Sequence, residues 1–286
     1  YGEYFPNRRY NVYEENTGFV ISKLNSTLKT AKFDQYDGFE ENIKLQEKID
    51  NYTIIEIGNY AFYIGEAISG VKVKSVQLPD TIEKIGNFSF YGLSLIESIT
   101  IPKNVNYIGK GTFSKSPKLK ELKISSGNQY FSLDQGVLYD YNKTKLINFI
   151  YTNGSEYTSS FTSLIEIDDY SFYYNKNITK LILPGTVKRI GEGAFESSSL
   201  KEIYFSGPQP EISNKAFSGI TVTIYYPKTV KWDTDSVNTK QATKVNFAQW
   251  DPPKHLLVED QSNTLIWVII IIAVLVVVGS VGFVLY

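Results

Sequence analysis

Residues 81–90 read TIEKIGNFSF and residues 186–195 read TVKRIGEGAF. Both carry an aliphatic residue three positions before an Ile-Gly pair, and a small residue just before a closing phenylalanine. With Phe62, Phe90, Phe113, Phe172, Phe195 and Phe217 as origins, this frame recurs six times. Ile57, Ile85, Ile108, Ile167, Ile190 and Ile212 stand five residues before the phenylalanines. They are followed by Gly58, Gly86, Gly109, Asp168, Gly191 and Ser213, and the small residues are Ala61, Ser89, Thr112, Ser171, Ala194 and Ala216. Eight positions before the first five phenylalanines lie Ile54, Ile82, Val105, Leu164 and Val187. Chance does not produce six copies in one frame, so the chain is read first as an array of repeats.

Upstream of the frame, apolar residues two apart recur as Val76/Leu78, Ile99/Ile101, Leu181/Leu183 and Ile203/Phe205, and Pro79, Pro102 and Pro184 close three of these pairs. Alternation ended by a proline describes a short strand that then turns. The period of about 23 residues lies in the range of leucine-rich repeats. One unit cannot bury its Ile/Phe face alone, so the units stack, aligning strands into a parallel sheet and phenylalanines into a continuous inner column. The expected fold is a repeat solenoid, leucine-rich-repeat-like and mostly β, with short turns or helical pieces on the return side. The glycine slot is expected to need a left-handed or tight backbone, a role that Asp168 tolerates and Ser213 fits least.

The interval from Phe113 to Phe172 contains GVLYDYNKTKLINFI at residues 136–150, which reads as a β-hairpin around Asn142-Lys143. A similar pattern from Gly18 to Phe33 predicts a second hairpin or an end cap. The expected organisation is a cap or hairpin region at 1–52 and a solenoid at 53–227 with its hairpin insertion at about 125–160. A C-terminal cap and stalk at 228–264 and a transmembrane helix at 265–286 complete it.

The repeats resemble the BspA-like leucine-rich repeat family in TIEKIGNFSF, TVKRIGEGAF and the hairpin GVLYDYNKTKL, over about residues 53–227. Members of that family are surface proteins of bacteria and parasitic protists that attach to host matrix proteins, host cells or other microbes. The resemblance therefore implies an adhesin or binding protein whose partners are extracellular matrix or cell-surface proteins. The alternative is a structural surface coat that self-associates.

In a stacked array, strand side chains facing away from the core line a concave sheet, the usual binding surface. Counting alternates of the inward pairs selects Ser75, Gln77, Ser98, Thr100, Glu121, Lys123, Lys180, Ile182, Glu202, Tyr204, Thr223 and Tyr225. Tyrosine is a common interface anchor, which draws attention to the C-terminal end of this row. N-glycosylation sequons stand at Asn25, Asn51, Asn87, Asn142, Asn153 and Asn177, in keeping with passage through a secretory pathway.

The run LIWVIIIIAVLVVVGSVGFVLY at 265–286 has no charge. As a helix it spans roughly 33 Å, enough for a hydrocarbon core of about 30 Å. A single-pass membrane anchor with the repeats outside is expected, with a glycolipid-anchor signal as the lesser alternative. The mixed charges before the span, Lys254, Glu259 and Asp260, do not settle its orientation. The chain starts at Tyr1 and has no methionine, from which a processed or truncated chain is expected.

Composition excludes several classes of function. Lys and Arg number 29 against 30 Asp and Glu, which leaves no basic excess for a phosphate backbone, so no nucleic-acid partner is expected. With no cysteine and one histidine, His255, thiolate chemistry, His-based triads and His/Cys metal sites lack their residues. No cofactor and no enzymatic activity are expected. The acidic pair Asp168-Asp169 is the nearest thing to acid–base machinery, and Asp168 already fills a glycine slot in its repeat.

Overall fold

Two short strands make each coil, one from the alternating segment and one from the Lys/Arg/Tyr-Ile pair before the glycine. A computed structural model describes residues 18–63, 73–150, 154–159, 161–237 and 241–257. The alternating segments form parallel pairs: Asn42–Lys44 with Ser75–Gln77, and Ser98–Ile101 with Glu121–Ile124. A further ladder runs through Glu156–Thr158, Lys180–Leu183, Glu202–Phe205, Thr221–Pro227 and Lys244–Trp250. The shorter strands form a second wall in two sets, Tyr52–Ile57, Lys84–Ile85 and Tyr107–Ile108, then Glu166–Ile167, Arg189–Ile190 and Glu211–Ile212. The return segments are turns, and the two 3-10 helices described, Thr234–Ser236 and Lys254–Leu256, lie after the last of the six units.

Each short-strand set starts from an antiparallel hairpin. Phe19–Asn25 pairs with Thr30–Tyr36, whose outer edge receives Tyr52–Ile57 in parallel. Val137–Asp140 pairs with Lys145–Phe149, whose outer edge receives Glu166–Ile167 in the same way. The molecule is therefore a tandem of two hairpin-led modules, each followed by three coils.

The second hairpin is not a surface insertion. Val137, Tyr139, Leu146 and Phe149 belong to the core of the second module, while Leu138, Ile147 and Ile150 belong to the core of the first. It is a septum buried on both faces, so the expected continuous phenylalanine column becomes two runs. Phe33, Phe62, Phe90 and Phe113 follow one another at 5.0, 4.9 and 5.6 Å between ring centroids. Phe149, Phe172, Phe195 and Phe217 follow at 4.3, 4.9 and 5.4 Å, the septum supplying the first ring. Fully burying such a ring contributes about 1.5–3 kcal/mol, and each offset or tilted pair adds about 0.5–1.5 kcal/mol.

Of the two needs expected of the glycine slot, a left-handed or a tight backbone, the structure shows the second. Gly58, Gly86, Gly109 and Gly191 are absent from the positive-φ residues. The left-handed positions lie elsewhere in each turn. Two residues before the phenylalanine stand Tyr60, Phe88, Gly111, Tyr170 and Gly193 (φ 56, 53, 57, 56 and 58°). Two residues after it stand Gly92, Lys115, Tyr174, Ser197 and Gly219 (φ 73, 56, 58, 54 and 71°). What the slot needs is room: a Cβ at Gly86 would lie 2.7 Å from the Gly58 carbonyl carbon and 2.8 Å from Asn59 N. The crowding comes from a polar ladder in which a side-chain oxygen of one coil accepts a backbone N–H of the next. Asn59 Oδ1 accepts from Asn87 N at 2.8 Å, Asn87 Oδ1 from Lys110 N at 2.9 Å, and Asp169 Oδ1 from Glu192 N at 2.9 Å. The sixth unit holds Ser213 in the slot, and the coil before it carries Glu192 where those before Gly86, Gly109 and Gly191 carry Asn59, Asn87 and Asp169.

Two boundaries move. The long-strand ladder starts at Asn42, before residue 53, and continues beyond residue 227 through Lys244–Trp250. Buried Trp232, whose Nε1 donates to Gly207 O at 3.1 Å, packs its segment onto the second core, so residues 228–237 and 241–250 belong to a closing coil, the cap part of the expected cap and stalk. The apolar run 265–286 lies outside the described residues; among the described residues, no helix is long and apolar enough to cross a membrane.

Candidate binding face

The pleat decides which side chains reach solvent. In Ser98–Ile101 and Glu121–Ile124 the first and third residues are exposed and the second is buried, and the C-terminal ladder repeats the alternation with half-buried outward residues. Ser75, Gln77, Ser98, Thr100, Glu121 and Lys123 all face outward on the first module. Ser75 Oγ donates to Asn42 Oδ1 at 2.8 Å, and Lys123 pairs with Glu121 at 3.0 Å along its own strand. That half is a polar, self-neutralised surface.

The second module brings the remaining six together in two rows. Parallel register aligns Glu156, Lys180, Glu202, Thr223 and Asn246 in one row, and Thr158, Ile182, Tyr204, Tyr225 and Ala248 in the next. Tyr204 and Tyr225 stack at 4.1 Å with 3° between planes, and the Trp250 ring meets Tyr204 edge-on at 4.9 Å. The indole Nε1 of Trp250 donates to Phe205 O at 2.8 Å, locking the ring across the end of the ladder. Lys180 Nζ lies 5.6 Å from the Tyr204 ring centre and pairs with Glu156 at 3.1 Å. Tyr204 donates its hydroxyl to Glu202 at 3.0 Å. Partial burial first, and then the Glu202 carboxylate, push the Tyr204 phenol up, so it stays a neutral donor. The result is a rigid aromatic platform edged by one lysine and two carboxylates.

Trp250 and Asn246 were missed in the sequence because they stand outside the Ile-Gly-Phe frame. A signal existed: KVNFAQW at 244–250 places Val245 and Phe247 two apart, as Ile203 and Phe205 are. Of the sequons, Asn25, Asn51, Asn142 and Asn177 are exposed, and Asn87 is half-buried with its side-chain oxygen committed to Lys110 N. Asn153 lies outside the described residues.

The acidic pair sits in a structural ion network at the corner where the modules meet. Asp169 accepts from Lys110 Nζ of the first module at 2.5 Å and from Arg189 at 2.7 Å. Burial acts to raise its carboxyl, but the hydrogen bonds from Lys110, Arg189 and Glu192 N outweigh it and hold Asp169 below the ordinary carboxylate value. Burial pushes Asp168 up, against the nearby charge of Lys145 at 3.5 Å. Both carboxylates are spoken for by coil-to-coil contacts.

Two parallel strand walls, a turn every coil and the hairpin septum give the architecture, and the family model of the BspA type leucine rich repeat region matches residues 35–163 and 151–232 in six copies. The chain belongs to the BspA-type leucine-rich repeat family. No curated protein sequence matches it significantly. Among solved structures, this BspA-type solenoid is similar to the pneumococcal vaccine antigen PcpA, with 21% identity and a TM-score of 0.50, covering 78% of this chain and 64% of that one. It thus spans less than two thirds of the antigen. It is also similar to a leucine rich cell surface protein from Faecalibacterium prausnitzii A2-165, with 16% identity and a TM-score of 0.44, covering 82% of this chain and 94% of that one. At 21% identity the likeness to PcpA shows the fold alone.

Proposed function

We propose that this BspA-type solenoid is a cell-surface binding protein, an adhesin, held by a single-pass anchor at 265–286 with its repeats outside the cell. In this reading its ligand is an extracellular matrix or cell-surface protein that docks on the concave ladder of the second module. The observation that carries the reading is the platform of Tyr204, Tyr225 and Trp250, three adjacent rings on an outward strand face. Such rigid aromatics give large contact area at low entropy cost, which is why interface hot spots are rich in them. The family's membership of surface proteins and the exposed sequons Asn51, Asn142 and Asn177 support display outside the cell.

The test is binding of the full chain, in detergent, to a panel of matrix proteins and to intact cells, alongside a Tyr204→Ala/Tyr225→Ala variant. Saturable binding that the variant loses by about tenfold or more supports the reading, since hot-spot truncations cost about 2 kcal/mol or more. Self-association without any heterologous ligand, measured by sedimentation, favours the coat reading instead.

A further inference from the structure

The seam between the two modules opens into a cleft of about 230 Å³ on the turn side of the solenoid, away from the strand face. Its position follows from the tandem architecture: the last coil of the first module supplies Phe113 to Pro117, the septum supplies Asn148 to Ile150, and the first coil of the second module supplies Ser171 and Tyr173 to Asn177. Seams between units are favoured places for ligand sites, because neither unit closes them alone.

The lining has a consistent chemistry. Tyr173 and Tyr174 offer aromatic surface, and Lys115 lies 5.0 Å from the Tyr174 ring centre with Lys176 at 5.1 Å from the same ring. Among the described residues no carboxylate lines the cleft. Three polar side chains are buried in its walls: Asn148 at 3%, Ser114 at 5% and Ser171 at 2% exposure. Ser171 Oγ has no hydrogen-bond partner. Ser89, in the same repeat position, is also unpartnered, and both hydroxyls are sealed inside their coils, so they mark a packing position and take no part in the cleft's chemistry.

We propose that this cleft is a second binding site, independent of the strand face, for one acidic sugar unit. A cleft of this size suits a single pyranose ring. The tyrosine rings suit the apolar C–H face of such a ring, Asn148 its hydroxyls, and its carboxylate suits Lys115 together with Lys176, which also donates to Ser197 O at 2.6 Å. A neutral sugar leaves the two cations unused, and a plain anion leaves the rings and amides unused.

The experiment titrates the full chain in detergent with glucuronate, N-acetylneuraminate, glucose and acetate, following ligand signals by saturation-transfer NMR and affinity by calorimetry. At least one acidic sugar is expected to bind saturably, and glucose and acetate about tenfold or more weakly, a difference readable in either method. Lys115→Gln and Asn148→Ala are each expected to weaken the acidic sugar severalfold, while Lys48→Gln, at an exposed lysine of the first module, leaves it unchanged. Circular dichroism of each variant checks that the fold is retained. The proposal is overturned by no saturable binding of either acidic sugar at 20 mM (roughly the weak limit of a one-ring ligand), by acetate binding equally well, or by affinity indifferent to both cleft substitutions in folded protein.

Discussion

Replacing Asp169 by Asn tests whether one carboxylate clamps the two modules together. The side chain keeps its size and its acceptor for Glu192 N, but loses the charge that faces Lys110 across the seam and Arg189 from the next coil. Asp169 is buried, whereas the Lys110 and Arg189 side chains are 46% and 39% exposed, so both cations regain solvation when the charge goes. Charge-assisted hydrogen bonds contribute about 1.5–3 kcal/mol each when well buried. Discounting for those exposed partners leaves about 2 kcal/mol for the substitution. In an array of this size that lowers Tm by roughly 4–8 °C at pH 7. Because the folded-state carboxyl titrates below its ordinary value of 3.8, the stabilisation is fully present above that value and is lost as pH falls through the lower folded-state value. The gap in Tm between wild type and Asp169→Asn is therefore constant from about pH 5 to 7 and closes in stronger acid. Thermal melts by far-ultraviolet circular dichroism across pH measure it. Equal Tm at pH 7, or a gap that persists undiminished at about pH 2, refutes the clamp.

Asp168→Asn carries the opposite sign: burial raises its carboxyl, so its contribution is fully present below 3.8 and lost as pH rises through the elevated value, and the substitution does not lower Tm at pH 7. Phe195→Ala removes a fully buried ring stacked between Phe172 and Phe217 and costs about 3–5 kcal/mol, read as a shift in denaturant midpoint. Gly109→Ala places a Cβ 2.5 Å from Asn87 N and 2.7 Å from the Gly86 carbonyl carbon, and is expected to cost about 1–3 kcal/mol by the same measurement. If Gly109→Ala is neutral, the close-approach account of the slot fails. Enzymatic removal of N-glycans from chain secreted by eukaryotic cells, followed by peptide mapping, is expected to find Asn51, Asn142 and Asn177 occupied and Asn87 unoccupied, since its side chain is built into the coil ladder.

The inward side of this protein was legible because its physics is periodic. An Ile or Phe that must be buried in every coil recurs at the coil's own spacing, so Ile57, Ile85, Ile167 and Ile190 announce their strands and Phe62 to Phe217 their column. The twelve outward strand positions followed from pleat parity, and all twelve turn outward. The departures occur where one residue's environment depends on a neighbouring coil. Gly86 and Gly109 read as left-handed or tight positions; the left-handed conformation falls instead on Tyr60, Phe88 and Tyr170, and the glycines hold the tight approach to Asn59 and Asn87.

By itself, then, the sequence determined the repeat, its period, the buried face, the two hairpins and the apolar run at 265–286, all properties of local spacing and hydropathy. The tertiary structure decided that the second hairpin divides the core instead of decorating it, because burial on both faces needs a module on either side of it. It also decided that Trp250 joins Tyr204 and Tyr225, and that Lys110 reaches Asp169 across the seam. Those residues are 46 and 59 positions apart, and a distance along the chain becomes a contact only once the coils between are stacked.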